Sequence, residues 1–114
     1  MSILKIDHIP SPEDVIALTQ EFPEYIKLSA DLNKQILYGG SRLHHDCEQK
    51  LINQESSENK HIWSRGVNLA TKKIDYEAVA NIKPSMGNPS SEILDPEKRR
   101  KFKDLVKIYF PDYE

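Results

Sequence analysis

The sequence predicts an α+β domain, with three helices and two antiparallel β-hairpins gathered into one sheet, in the order helix, hairpin, helix, hairpin, helix. Two observations carry this. Segments that alternate apolar and polar residues come in pairs, too close together in the chain for a parallel crossover. Two proline-marked helix starts, Ser11-Pro12-Glu13-Asp14 and Asp95-Pro96-Glu97, bracket them. The 114 residues fit one domain, expected to have its core at about 11–110 and tails at 1–10 and 111–114. A chain of this size buries about two-thirds of its unfolded surface, enough for a core without staples.

The first helix follows Ser11, whose hydroxyl can cap free amides, while Glu13 and Asp14 favour the positive end of the helix dipole. Val15, Leu18 and Phe22 recur at helical spacing, and Pro23 closes the segment. Met1 to Pro10 reads as a frayed tail or as an added edge strand. From Tyr25 the period becomes two: Ile26, Leu28 and Ala30 alternate with Lys27, Ser29 and Asp31. Turn formers at Asp31-Leu32-Asn33-Lys34 lead into a second strand, Gln35 to Tyr38. Gly39-Gly40 then ends it, because glycine alone reaches positive φ without steric cost.

Ser41 to Asn53 supports two patterns. As a helix it lines up Leu43, Cys47 and Leu51; as a strand it would put His44, Asp46 and Glu48 on one face. The helix gathers more apolar residues and is the reading adopted here. Gln54 to Lys60 is entirely polar and reads as an exposed loop. A third strand opens at Ile62-Trp63 and runs to about Leu69, with Gly66 a bulge or a point of close approach. After a turn at Thr71-Lys72-Lys73, Ile74, Tyr76, Ala78, Ala80 and Ile82 alternate with Asp75, Glu77, Val79, Asn81 and Lys83, the cleanest strand pattern in the chain. Pro84 to Ser91 is a loop rich in proline, glycine and serine. The last helix presents Phe102, Leu105, Val106 and Tyr109 on one face and ends before Pro111.

Composition excludes several classes. Sixteen basic against eighteen acidic residues leave a net charge of −2, so no overall basic field grips nucleic acid. The single cysteine, Cys47, excludes an internal disulfide or a thiolate-built zinc site and suits a reducing cytoplasm. There is no secretory leader pattern at the N-terminus and no apolar run near the roughly 20 residues of a membrane helix. A cytoplasmic protein is expected, away from membranes.

His44-His45-Asp46-Cys47-Glu48 is the densest group of candidate ligands. On a helix His44 and Glu48 are one turn apart and can share a divalent ion, with His45 or Asp46 completing it. The zinc-hydrolase pattern of two histidines four apart around a glutamate is absent, and the plain alternative is a polar helix start with Cys47 in the core. The 84–91 loop offers a second candidate site, a pocket for a small anion or other ligand formed by Asn81, Asn88 and Ser90 with Arg99 reaching back from the last helix. There the plain alternative is that Arg99 anchors the loop through carbonyl oxygens or Glu92. Gly39-Gly40-Ser41 lacks the rest of a phosphate-loop or dinucleotide pattern, and no cofactor is expected. Arg100, Lys103 and Lys107 fall on the outward face of the last helix, among Glu97 and Asp104.

Several stretches, Tyr25-Ile26-Lys27, Leu43-His44-His45-Asp46, Trp63, Asn81-Ile82-Lys83-Pro84, Gly87-Asn88-Pro89-Ser90 and Asp95-Pro96-Glu97 with Arg99, run from Tyr25 to about Ile108. They resemble a family of small prokaryotic proteins grouped as domain of unknown function 5674. Lys83 stands where that family tends to have arginine, the glycines sit one residue further from His44, and Trp63 and Gly66 are further apart. The resemblance implies one small cytoplasmic α+β domain and supplies no activity. With no complete catalytic set in view, the expected function is a non-enzymatic protein-binding or regulatory module acting on a protein partner or as a homodimer. A metal-dependent or anion-binding hydrolase built on His44 to Glu48 is the alternative, and a nucleic-acid-linked regulator or toxin-neutralising partner a third.

Overall fold

A computed structural model describes residues 3–75 and 77–114. Its strands are β1 (Leu4–Ile6), β2 (Tyr25–Asp31), β3 (Ile36–Gly39), β4 (Ile62–Asn68) and β5 (Lys73–Asp75), and its helices are α1 (Pro12–Leu18), α2 (His44–Glu55) and α3 (Pro96–Tyr109). The strands form one antiparallel sheet in the order β1-β3-β2-β4-β5. This is a small α+β domain with five strands where two hairpins alone would supply four. The additional strand comes from the segment before α1, where Leu4–Ile6 pairs with Leu37–Gly39.

The alternation in β2 sorts the sheet into two faces. Ile26, Leu28 and Ala30 join Leu37, Trp63, Val67 and Ile74 in the main core, closed by Leu18 of α1 and by Phe102, Leu105 and Val106 of α3. Burying an aliphatic side chain of this kind is worth about 1.5–3 kcal/mol, so this face supplies most of the driving force. The opposite face carries a smaller cluster, in which Tyr38 and Ile62 meet Cys47 and Leu51 of α2. Its β2 positions are polar. Helix α2 therefore covers only part of a polar sheet surface, and the uncovered part becomes the cleft described below.

Both helix starts marked by proline form as the sequence indicates. Ser11 and Asp14 make a reciprocal capping box, with Asp14 N donating to Ser11 Oγ at 3.1 Å and Ser11 N to Asp14 Oδ2 at 3.0 Å. Asp95 caps α3 by accepting from Glu97 N at 2.9 Å. Helix α1 stops at Leu18, one turn before Phe22, because Thr19 Oγ1 turns back onto Val15 O at 2.6 Å and competes for the backbone there. The expected end of the first hairpin holds too, since Gly40 takes φ 95° and donates its N–H to Lys27 O.

The clearest departure lies after β5. The alternation from Ile74 to Lys83 predicts one long strand, yet pairing with β4 ends at Asp75, and Val79–Asn81 forms a 3-10 turn. Tyr76, part of that expected strand, lies outside the described residues. The alternation misleads because one side chain replaces the ladder. Asn81 Oδ1 accepts from Ser64 N at 2.8 Å and its Nδ2 donates to Ser64 O at 2.8 Å, so the carboxamide satisfies both backbone groups where the next rung of β5 would stand. Beyond the break the alternation no longer sorts the residues into two faces: Ala78 stays buried, whereas Ile82 of the same face is 46% exposed and Val79 of the other face 79% exposed.

Replacing Asn81 by alanine leaves a buried N–H and a buried C=O on Ser64 without partners. We expect a loss of about 2–3 kcal/mol. Urea denaturation is the check: the midpoint should fall with little change in slope.

Candidate functional site

The polar half of the sheet opens into a cleft of roughly 600 Å³, lined by Tyr25, Lys27, Leu43, His44, His45, Glu48, Asp75 and the segment 77–80. Three strands position its floor. Lys27, Gly66 and Asp75 stand side by side across β2, β4 and β5. Gly66 has no side chain to block the middle of this row, and Tyr25 uses the space: a Cβ at Gly66 would collide with the Tyr25 ring and hydroxyl. The phenol thereby reaches across the sheet and donates to Asp75 Oδ2 at 2.6 Å. Burial and this bond to a carboxylate together push the Tyr25 hydroxyl well above its ordinary pKa, so it remains a proton donor.

Helix α2 forms one wall. Its N-cap is Leu43, which has no side-chain acceptor to offer the first-turn amides, so the positive end of the helix opens at the cleft uncapped. Leu43 is 55% exposed, off the apolar stripe that the sequence pattern assigns it to, while Cys47 and Leu51 are fully buried. His44 Nε2 donates to Arg65 O at 2.8 Å, which fixes the neutral tautomer with its lone pair on Nδ1. Burial lowers the His44 pKa, partly opposed by that carbonyl. One turn on, Glu48 Oε2 accepts from Ser64 Oγ at 3.0 Å, and Ser29 Oγ lies 2.7 Å from Ser64 Oγ. Burial raises the Glu48 pKa against the pull of Ser64 and of the positive charge on Lys83.

Of the four residues considered as metal ligands, His44, His45 and Glu48 line this cleft, while Asp46 turns to a separate groove beside Ile3 and Lys50. Among the described residues no group of three His, Cys, Asp or Glu side chains is placed to hold a metal ion. The second candidate set is spread along the chain's own backbone. Asn81 holds Ser64; Asn88 Nδ2 donates to Asn81 O, Ser90 O and Glu92 O, and its Oδ1 accepts from Leu94 N at 2.8 Å. Ser90 Oγ accepts from Glu92 N at 3.1 Å, and Arg99 Nε donates to Ile93 O at 3.0 Å. These four side chains shape the loop.

Lys83 acts in the same way. Its ammonium is buried, donates to Asn59 O at 2.7 Å and to Ile62 O, and lies 4.8 Å from the centre of the Trp63 ring. Loss of hydration lowers its pKa. On α3, Arg100 is engaged by Glu97 and, at 3.0 Å, by Asp104, while Lys107 reaches Glu114 at 3.4 Å. The basic face is thus partly neutralised by its own neighbours.

The residues that sequence reasoning missed are Lys27, Asp75, Glu77 and the functional side of Tyr25. Nothing local marks them, since their convergence follows from strand register. The one available signal was Gly66, flagged as a point of close approach without the partner that approaches.

Because burial holds the folded-state pKa of His44 below the unfolded value of about 6.5, the unfolded chain takes up a proton first as pH falls. The stability contributed by neutral His44 is therefore complete above that value and is lost as pH drops towards the folded pKa. NMR titration should place the His44 midpoint below 6.5. The stability difference between the natural chain and the His44→Gln variant, whose amide can keep the bond to Arg65 O, should shrink or reverse over the same range.

Neither a curated protein nor a solved structure matches the chain. A family model does, over residues 4–109, from β1 to the end of α3, so it covers the strands, both walls of the cleft and the asparagine-anchored loop. The chain belongs to that family, described as protein of unknown function, DUF5674.

Proposed function

We propose that the protein is a non-enzymatic binding or regulatory module whose recognition surface is the cleft between α2 and residues 77–80. The observation that supports this is the pairing, in one cavity, of an apolar wall with a polar floor. Leu43 and Val79 are exposed at the cleft, and Ala78 and Ala80 line it beside Val79. The floor sets Tyr25, Lys27, His44, Glu48 and Asp75 at fixed positions on strands and a helix. Ligand sites combine these two elements, apolar area for affinity and a few placed polar groups for orientation.

The cleft is a better recognition surface than the sheet edges. Strands β1 and β5 span only three residues each, too short for extensive pairing with another chain. The hydrolase reading is weaker than the binding one, because it needs three converging ligands or an anchored anion, and the residues assigned to the latter are occupied with backbone.

Protein-observed NMR with a panel of small aliphatic, aromatic, amine and carboxylate fragments tests this. Bound fragments should shift the signals of Tyr25, His44, His45, Glu48, Asp75 and Ala78, and the exposed substitution Val79→Arg should weaken them without unfolding the protein. Hits confined to the groove of Leu32, Gln35, Leu105 and Ile108, or no hits at all, would overturn the reading.

A further inference from the structure

Resting on that reading, the charges of the cleft narrow its ligand. Opposite charges share its floor without neutralising each other. Lys27 and Asp75 stand two strand spacings apart on one row, about 9–10 Å between Cα atoms, and the Tyr25 phenol lies in the gap over Gly66. Asp75 is engaged by that phenol and by Glu77 N at 3.3 Å, while Lys27 leans away to within 5.3 Å of the Phe22 ring centre. Among the described residues neither enters an ion pair, and neither do Glu48 and Glu77.

The two ends of the Lys27–Gly66–Asp75 row therefore differ in sign, with Glu48 a third carboxylate of the cleft, held on the α2 wall by Ser64 Oγ. Lys27 and the uncapped start of α2 favour a carboxylate. Asp75 and Glu77 favour an ammonium group, with the Tyr25 oxygen still able to accept a hydrogen bond beside them. Leu43, Val79 and Ala80 offer an apolar surface between.

We infer that the cleft binds a short zwitterion with an apolar side chain, a free amino acid or a dipeptide, its carboxylate towards Lys27 and the α2 N-terminus and its ammonium towards Asp75 and Glu77. A ligand with one charge would leave the other end unanswered. A neutral ligand would have to strip water from both ends for no return.

Four forms of one side chain separate these cases: leucine, leucinamide, N-acetylleucine and N-acetylleucinamide, each titrated into the full chain by NMR, with leucyl-leucine as a longer probe. Leucine or leucyl-leucine should shift the cleft signals, the longer probe binding more tightly if the span between Lys27 and Asp75 sets the fit. Each singly blocked form should bind about tenfold more weakly or less well still, and the doubly blocked form should not bind. Lys27→Met should erase the advantage of the free carboxylate alone, and Asp75→Asn the advantage of the free amine alone. Both variants keep side chains of similar size, and their amide spectra report whether the fold is intact.

Equal binding by all four forms, or by leucinamide as well as by leucine, would overturn the zwitterion while leaving the cleft as a ligand site. No binding by any of them would also overturn it, and fragment hits in the cleft would then show that only the ligand class was wrong.

Discussion

Two buried carboxamides hold the second half of the molecule in place. After β5 the chain leaves the sheet and crosses 20 residues to reach α3 with almost no ladder hydrogen bonds of its own. Backbone groups buried along such a path need partners; two 3-10 turns and isolated bridges supply some, and side chains supply others. Asn81 supplies both partners for Ser64, and Asn88 gathers three carbonyls and one amide within seven residues. Arg99 then fixes Ile93 O, so the loop is tied to the sheet at one end and to α3 at the other. Lys83 does the same beneath Trp63, where a flexible ammonium meets the carbonyls of Asn59 and Ile62. A guanidinium there would present a rigid fork to the same carbonyls, and the lysine makes do with point contacts.

These anchors also create the cleft. If β5 continued past Asp75, it would lie beside β4 in the plane of the sheet and leave no wall over the polar face. The chain instead turns away, is caught at Asn81, and leaves residues 77–80 as a wall standing over the row of Lys27, Gly66 and Asp75. The wall on the other side is α2, which the small cluster of Cys47 and Leu51 holds against Tyr38 and Ile62. The site thus depends on structure that is itself built from polar side chains, and its floor and walls belong to three strands, one helix and the 77–80 segment.

That division explains what the sequence discloses. Helix starts are local events: Ser11 and Asp95 bond to amides two or three residues away, and both are legible from spacing alone. The period-two pattern of Tyr25 to Asp31 is equally legible, because one face of that strand meets a continuous core. The pattern from Ile74 to Lys83 has the same period and fails, since periodicity records which residues are apolar and not whether a rung of backbone is available to pair. Asn81 takes that rung from 17 residues away along the chain. Asn88, Ser90 and Arg99 admit two readings from sequence, ligand contacts or anchors of the loop, and Arg99 does donate to a loop carbonyl, Ile93 O. Polar residues in a proline-rich loop look like ligand contacts, and structural carboxamides have the same composition. The histidine cluster was legible in part: the helix and the inward turn of His44 and Glu48 follow from 3.6-residue spacing, whereas Asp46, two positions on from His44, is carried to another face.

Register is the remaining hidden variable, and it decides the chemistry of the cleft. Lys27 and Asp75 are 48 residues apart, and each alone reads as an ordinary solvent-facing strand residue. Pairing of β2 with β4 and of β4 with β5 puts them on one row, and a slip of one residue at either pairing would send one of them into the apolar core. The core itself forbids that slip, because Ile26, Leu28, Val67 and Ile74 would then face the polar side. Packing on one face of the sheet thereby enforces the separation of charge on the other. Glycine at position 66 completes the arrangement: it lets Tyr25 lie between the two charges, so that the lysine and the aspartate stay apart and both remain open to whatever enters.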